Sequence, residues 1–383
     1  MLSFTRNSKN QSIQLPISGY LGYTISKFFH LCTPITFLHE RFETITLFND
    51  IRKLKINKPI YITGLARAGT TIVLEMLSKH PDLATHQYKN LFIPYFPNWL
   101  YKLTNKVRLF SKPTERIHKD GIMVTRDSPE AVEEIFWRKY FKHTSTEKSS
   151  HIINGNIINP KFERFYPNHI RKLLIAQKRS RYLAKNNYNI TRLEYLLRIF
   201  PSTKFLLIIR NPVNHIASLI KQTKLFMKME NQIPLLQDWL KILGHQEFGH
   251  HSICINVNNT ESIHKIRKLW SNKKTYVKGW AYYWVSIYDF IADSLEANEK
   301  LRSATFIVNY NELCENPADI IDRILEHTEL PLDKFLKVRE YYINHLHKPT
   351  YYSPDFSEQE LSDIYEITKD TASRFGLKIS LGN

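Results

Sequence analysis

Residues 59–77 read Pro59-Ile-Tyr-Ile-Thr-Gly64-Leu-Ala-Arg67-Ala-Gly69-Thr70-Thr71-Ile-Val-Leu-Glu-Met-Leu77: an apolar run, a turn bounded by two glycines, then an apolar helical pattern. A backbone arranged as strand, tight turn and helix can hold an anion. Successive N–H groups of the turn face inward as a nest, and the helix adds its positive end and its unpaired first-turn donors. Gly64 and Gly69 bracket four residues, as in the P-loop of nucleoside triphosphatases, but Thr70 stands where that loop keeps its lysine, and Thr71 follows. The threonines offer hydroxyls. Arg67, inside the loop, offers a permanent positive charge. A plain strand-turn-helix, with glycines serving only the turn, is the bland alternative at this point.

A second unit of the same kind runs Lys204-Phe-Leu-Leu-Ile-Ile-Arg210-Asn211-Pro212-Val-Asn-His-Ile-Ala-Ser218. Its uninterrupted apolar run predicts a buried parallel strand, and Asn211-Pro212 predicts a helix with Asn as cap and Pro at the first position. Val213, Ile216, Ala217 and Ile220 define the buried side of that helix, which turns Ser218 the other way. Further strands are expected at 182–185 and 304–310, with helices at 191–200, 277–300 and 357–376 and a helix start at Asn316-Pro317. Strands alternating with helices predict an α/β fold, a three-layer sandwich around a central parallel sheet, with ligands beyond the strands' carboxyl ends. Arg67 and Arg210 both project from such ends.

Three other stretches carry expectations. Ser128-Pro129-Glu130 predicts a helix with Val132, Ile135, Phe136 and Tyr140 as its apolar stripe, Glu133 at the edge and Glu134 opposite. Residues 17–39 are too interrupted by Lys27, His30 and Pro34 to span a bilayer and read as an amphipathic helix. The span 221–278 lacks clean periodicity and reads as an insertion, a lid or substrate collar. The chain thus divides into an N-terminal helical extension, 1–58, packed on a main domain, 59–383.

The charge balance is +18, from 54 Lys and Arg against 36 Asp and Glu. Such a balance implies an anionic partner without choosing among nucleotide, acidic glycan, nucleic acid and lipid surface. Two runs stand out: eight cations and one acid over 161–185, and six cations without an acid over 264–278. A solvated face is the ordinary reading of such runs. Cys32, Cys254 and Cys314 show neither a disulfide framework nor a C-x-x-C spacing. With no signal-peptide pattern at the start, a cytoplasmic location is expected, with membrane-surface contact through the N-terminal region left open.

The residues resemble the sulfotransferases that use 3′-phosphoadenosine 5′-phosphosulfate. Gly64 to Thr71 is similar to their 5′-phosphosulfate loop, with Arg67 where many members have Lys, and Phe205 to Ser218 is similar to their 3′-phosphate motif. Val308 to Pro317 resembles the family's Tyr-Glu-Asp-Leu segment, with Asn311 in place of Glu, and His347 to Gly376 resembles the tail of bacterial members, whose loop near 348–352 closes over the nucleotide. The resemblance implies that Gly64, Arg67, Ala68, Gly69, Thr70 and Thr71 hold the 5′-phosphosulfate, that Arg210 and Ser218 hold the 3′-phosphate, and that no metal is required. Arg67 would also stabilise charge on the departing phosphate.

Many relatives place a Glu general base after the first helix, whereas this chain reads Thr85-His-Gln-Tyr-Lys-Asn-Leu91. His118, Glu133, Asp120 and Glu134, in that order, become the candidates, with His86 behind them. Aromatic residues over 82–100 and the two basic runs suit an acidic glycan as acceptor, other hydroxylated acceptors remaining open. Two rival readings stand beside this one: a P-loop kinase or other phosphotransferase, and a non-enzymatic polyanion binder. No nucleic-acid-binding motif accompanies the basic residues.

Overall fold

Ile60, Tyr61, Ile62 and Thr63 are completely buried and form β1 (Ile60–Thr63), the middle strand of the central sheet. The other strands are β2 (Leu83–Ala84), β3 (Arg181–Lys185), β4 (Lys204–Ile209) and β5 (Thr305–Asn309), in the spatial order β2-β3-β1-β4-β5. Every pairing is parallel, with Ile60 beside Leu183 on one side and Lys204 on the other. The computed structural model describes residues 5–6, 13–14, 17–106, 112–348 and 354–379.

Period-two alternation divides each strand between two cores. Tyr61, Tyr182, Phe205, Leu207 and Ile209 enter one of them, and Ile60, Ile62, Leu183, Leu206, Ile208 and Val308 the other. Helix α1 (Thr70–Leu77) covers the second face, whereas α2 (Pro160–Gln177), α3 (Pro212–Gln232) and α4 (Tyr276–Ala297) cover the first. Helix α5 (Pro317–Thr328) covers the same face as α1, against β4 and β5, and α6 (Glu358–Arg374) joins α4. The result is the expected three-layer α/β sandwich.

Helix α3 begins as its sequence predicts, with Pro212 at the first position and the Asn211 side chain accepting from Val213 N at 3.0 Å. The helix predicted from Ser128-Pro129-Glu130 does not form there. Pro129 bridges Gln87 in an antiparallel contact, Tyr88 N donates to Ser128 O at 3.0 Å and Glu130 N to His86 O at 2.9 Å, so the segment is extended and the helix starts only at Glu134. The span 221–278 is largely helical rather than irregular: α3 runs on to Gln232, and helices follow at Pro234–Leu243 and Thr260–Trp270. The stretch 17–39 belongs to two helices, Ile17–Leu31 and Thr33–Thr46. Among the described residues, no helix is long and apolar enough to cross a membrane. The tail loop at 349–353 lies outside the described residues.

Candidate active site

The turn between β1 and α1 is built by steric necessity. Gly64 has φ +145°, and a Cβ there would stand 2.3 Å from the Ile208 carbonyl oxygen; Gly69 has φ +108°, and its Cβ would meet the Tyr310 ring at 2.3 Å. Neither position accepts a side chain without backbone or ring movement. Arg67 itself is left-handed, φ +72°, a conformation that costs a non-glycine residue about 1–3 kcal/mol and persists because its surroundings impose it. One such surrounding is His215 on α3. Its Nε2 donates to the Ala66 carbonyl at 2.8 Å while its Nδ1 accepts from Trp284 Nε1 at 3.2 Å. Burial depresses the His215 pKa to about 3, so the ring stays neutral and anchors the loop backbone from behind.

The two motifs meet at this loop. Arg67 Nε donates to Ser218 Oγ at 3.3 Å, and Arg210, which reaches the Arg67 carbonyl at 3.5 Å, holds its guanidinium 5.2 Å from the Tyr310 ring centre. Thr70 Oγ1 donates to Asn187 Oδ1 at 3.3 Å. Asn187, just past the end of β3, in turn donates to Glu247 at 3.1 Å.

A short hairpin, Thr114–Glu115 against Met123–Val124, closes the other side and presents Arg116, His118 and Asp120 from its loop. Arg116 donates through Nε to Asp120 Oδ1 at 2.8 Å and through a terminal nitrogen to Thr71 Oγ1 at 3.2 Å; Arg67 donates to Asp120 Oδ2 at 2.9 Å. Burial opposes ionisation of Asp120, but the Arg116 hydrogen bonds and charge and the Arg67 charge outweigh it, so the carboxyl titrates well below the usual carboxylate range. Asp120 is therefore a weak base, tied to both guanidinium groups.

His118 is different. The Gln222 amide donates to the His118 carbonyl at 2.8 Å, which turns its oxygen toward His118 Nδ1 at 2.7 Å. That oxygen only accepts, so Nδ1 carries the proton and Nε2 keeps a lone pair. Burial, then the Arg116 and Arg67 charges, lower the His118 pKa well below its ordinary value, which keeps the imidazole neutral.

These groups line one cavity of about 460 Å³. Arg67, Gly69, Thr70, Thr71, Arg210, His118 and Asp120 all border it, and Ser218 touches it through Arg67. Ala68 is fully buried beneath the loop, and Gly64 forms the loop's first corner. Tyr310, from the Val308–Pro317 segment, also borders the cavity, as do Arg116, Lys185 and Asn187, which no motif announces in the sequence. Lys185 ends β3 and is desolvated enough to lower its ammonium pKa.

Glu133, Glu134 and His86 do not border it. Glu133 is 1% exposed, accepts from the Tyr166 and Tyr182 hydroxyls and belongs to the aromatic core. Glu134 is engaged by Arg192 at 2.7 and 3.0 Å, and His86 by His169 at 2.8 Å. Glu133 is thus withdrawn as a catalytic candidate, because the late start of its helix carries it inward. The basic runs are also partly internal: Lys172 reaches Glu40 at 3.2 Å and Glu43 at 3.5 Å, Arg181 donates to the Lys58 carbonyl at 2.7 Å, and Lys278 pairs with Asp363 at 3.1 Å.

Residues 59–247 match the sulfotransferase family. Among solved structures, sulfotransferase STF9 from Mycobacterium avium is similar at 14% identity over 88% of this chain and 82% of its own, with a TM-score of 0.53. Sulfotransferase STF1 from Mycobacterium tuberculosis aligns at 14% identity over 93% of this chain and 87% of its own, with a TM-score of 0.49. No curated protein sequence matches significantly. The family match begins at the first residue of the Pro59 stretch and takes in both motifs, and STF9 shares the fold of the sheet beyond it: residues 59–247 of the chain match the sulfotransferase family.

Proposed function

We propose that the chain transfers a sulfuryl group from 3′-phosphoadenosine 5′-phosphosulfate to a hydroxyl. The observation that carries this reading is the Arg67–Ser218 hydrogen bond at 3.3 Å, which joins a phosphosulfate-type loop to a 3′-phosphate-type strand and helix. A donor with phosphates at two places suits two adjoining anion sites. Gly64, Ala68, Gly69, Thr70 and Thr71 would hold the 5′-phosphosulfate with their backbone donors and hydroxyls, and Arg210 with Ser218 the 3′-phosphate. The residues ask for no metal ion.

In the transfer, the acceptor oxygen attacks sulfur while the sulfur–oxygen bond to the phosphate breaks, and the electron pair leaves on the phosphate. Arg67, with Arg116 beside it, stabilises that growing charge. His118 Nε2 takes the acceptor proton, its lone pair being held in place by Gln222.

For the acceptor, the cavity favours an uncharged hydroxyl on an apolar body over an acidic glycan. Once Arg67, Arg116 and Arg210 face the donor's phosphates, the remaining wall carries Glu130 and Glu247, which offset the desolvated Lys185, with His245, His345 and His347, among Leu91, Phe226, Leu240 and Phe248. Carboxylates repel an acidic chain. A cytoplasmic location belongs to the same reading, from cysteines spaced without a disulfide framework. The test is a labelled-donor screen against neutral amphiphilic alcohols, neutral glycans and acidic glycans, with Arg67→Ala as control. Label in a neutral apolar alcohol, lost in the variant, supports the reading; label confined to acidic glycans overturns the acceptor assignment, and label nowhere overturns the transfer.

A further inference from the structure

We infer that the N-terminal helices form a docking face for an anionic bilayer. Helices Ile17–Leu31, Thr33–Thr46 and Phe48–Lys53 expose Leu21, Phe28, Leu38, Phe42, Ile45 and Phe48, each between 47% and 67%. On the second helix, Leu38, Phe42 and Ile45 recur at helical spacing and share one face. Isolated exposed apolar residues need no explanation, but a cluster spread over three consecutive helices marks an interaction surface.

The charges say which surface. The acids of the second helix turn inward: Glu43 is fully buried, accepts from Trp99 N at 2.8 Å and faces Lys172 at 3.5 Å, and Glu40 meets the same lysine at 3.2 Å. Cations stay outside. Arg41, Arg52 and Lys53 are exposed, and the Arg52 guanidinium stands 5.3 Å from the Phe48 ring centre, a cation set beside an apolar anchor as at a membrane interface. The face is also held firmly. A Cβ at Gly22 would strike Phe92 at 2.4 Å, and Tyr23 donates to Asp238 at 2.6 Å, so the inner side of the first helix is fixed to the body and its outer side is presented. Apolar anchors flanked by cations, with Glu40 and Glu43 turned inward and Asp50 the one exposed acid among the described residues of the three helices, fit an anionic lipid surface by hydrophobic and electrostatic attraction together.

Sedimentation of the full chain with phosphatidylcholine vesicles, with and without phosphatidylglycerol, tests this independently of any transfer activity. The chain should sediment with the anionic vesicles and stay in solution with the neutral ones. Combined Leu38→Ser, Phe42→Ser and Ile45→Ser should weaken partitioning about a hundredfold, and combined Arg52→Glu and Lys53→Glu about thirtyfold, with thermal unfolding unchanged in the charge variant. Absence of binding to anionic vesicles, or binding that neither variant weakens, overturns the proposal. A chain that dimerises through this face, with the triple variant affecting only the dimer, assigns the face to a second copy and overturns it equally.

Discussion

Arg67 Nε and Ser218 Oγ stand 3.3 Å apart although 151 residues of sequence separate them. The contact ties the turn after β1 to the second turn of α3, so the two motifs meet at one cavity. The charged end of Arg67 is shared further with Asp120 at 2.9 Å, which holds the side chain over the loop.

Arg67→Ala should lower turnover about a hundred- to a thousandfold, as expected for removing a charge that acts where negative charge develops. Affinity for the nucleotide product should fall much less, because the loop backbone and Arg210 remain. Steady-state kinetics beside calorimetry of product binding separates the two. Turnover near the wild-type value would remove Arg67 from the chemistry.

Arg210→Ala and Ser218→Ala should act on donor binding instead. Loss of the Ser218 hydroxyl removes one hydrogen bond worth about 0.5–1.5 kcal/mol, a severalfold rise in the donor KM. Loss of the Arg210 charge, which also packs on Tyr310, should cost more. In both variants kcat at saturating donor should stay close to wild type.

Much of this arrangement is legible in the chain because β1 and β4 are buried on both faces, so their residues form continuous apolar runs that end at Gly64 and Arg210. The proposed base was less legible. Arg116, His118 and Asp120 come from a two-residue-stranded hairpin with no periodicity to announce it, and only tertiary packing brings Gln222, far along α3, onto His118. Glu133 misled for a physical reason: pairing of the 86–88 segment with 128–130 delays the helix to Glu134 and turns Glu133 into the core. Lys185 and Asn187 lie at a strand end whose chemistry appears only once β3 is known to adjoin β1.

His118 should govern the acid side of the pH profile. Its pKa is lowered, so the neutral, proton-accepting form persists as pH falls below the ordinary histidine value. The acid limb of kcat/KM, which reports the free enzyme, should lie below pH 6.5. Gln222→Ala, which frees the ring to adopt the other tautomer, should lower kcat with little change in donor KM. An acid limb at or above the ordinary histidine value, unaltered in His118→Ala, would exclude this residue as the base.

Glu133 should shape stability rather than catalysis. Burial, opposed by hydrogen bonds from Tyr166 and Tyr182, raises its pKa from 4.5 to about 7. A carboxyl raised in the folded state contributes stability that is complete below pH 4.5 and is lost as pH rises through about 7. Glu133→Gln should therefore flatten this part of the stability profile, with a difference from wild type that changes by on the order of 3 kcal/mol across the window. Denaturant unfolding at several pH values measures it; parallel profiles would contradict the assignment.

The most direct test of the central claim is calorimetric titration of the full chain with 3′,5′-bisphosphoadenosine in the presence of a chelator, set against ATP with magnesium. The loop with Thr70 in place of the P-loop lysine, joined through Arg67 to Ser218 and Arg210, predicts tight binding of the bisphosphate without metal, weakened in Arg210→Ala. Tight binding of magnesium ATP with none of the bisphosphate would contradict the account.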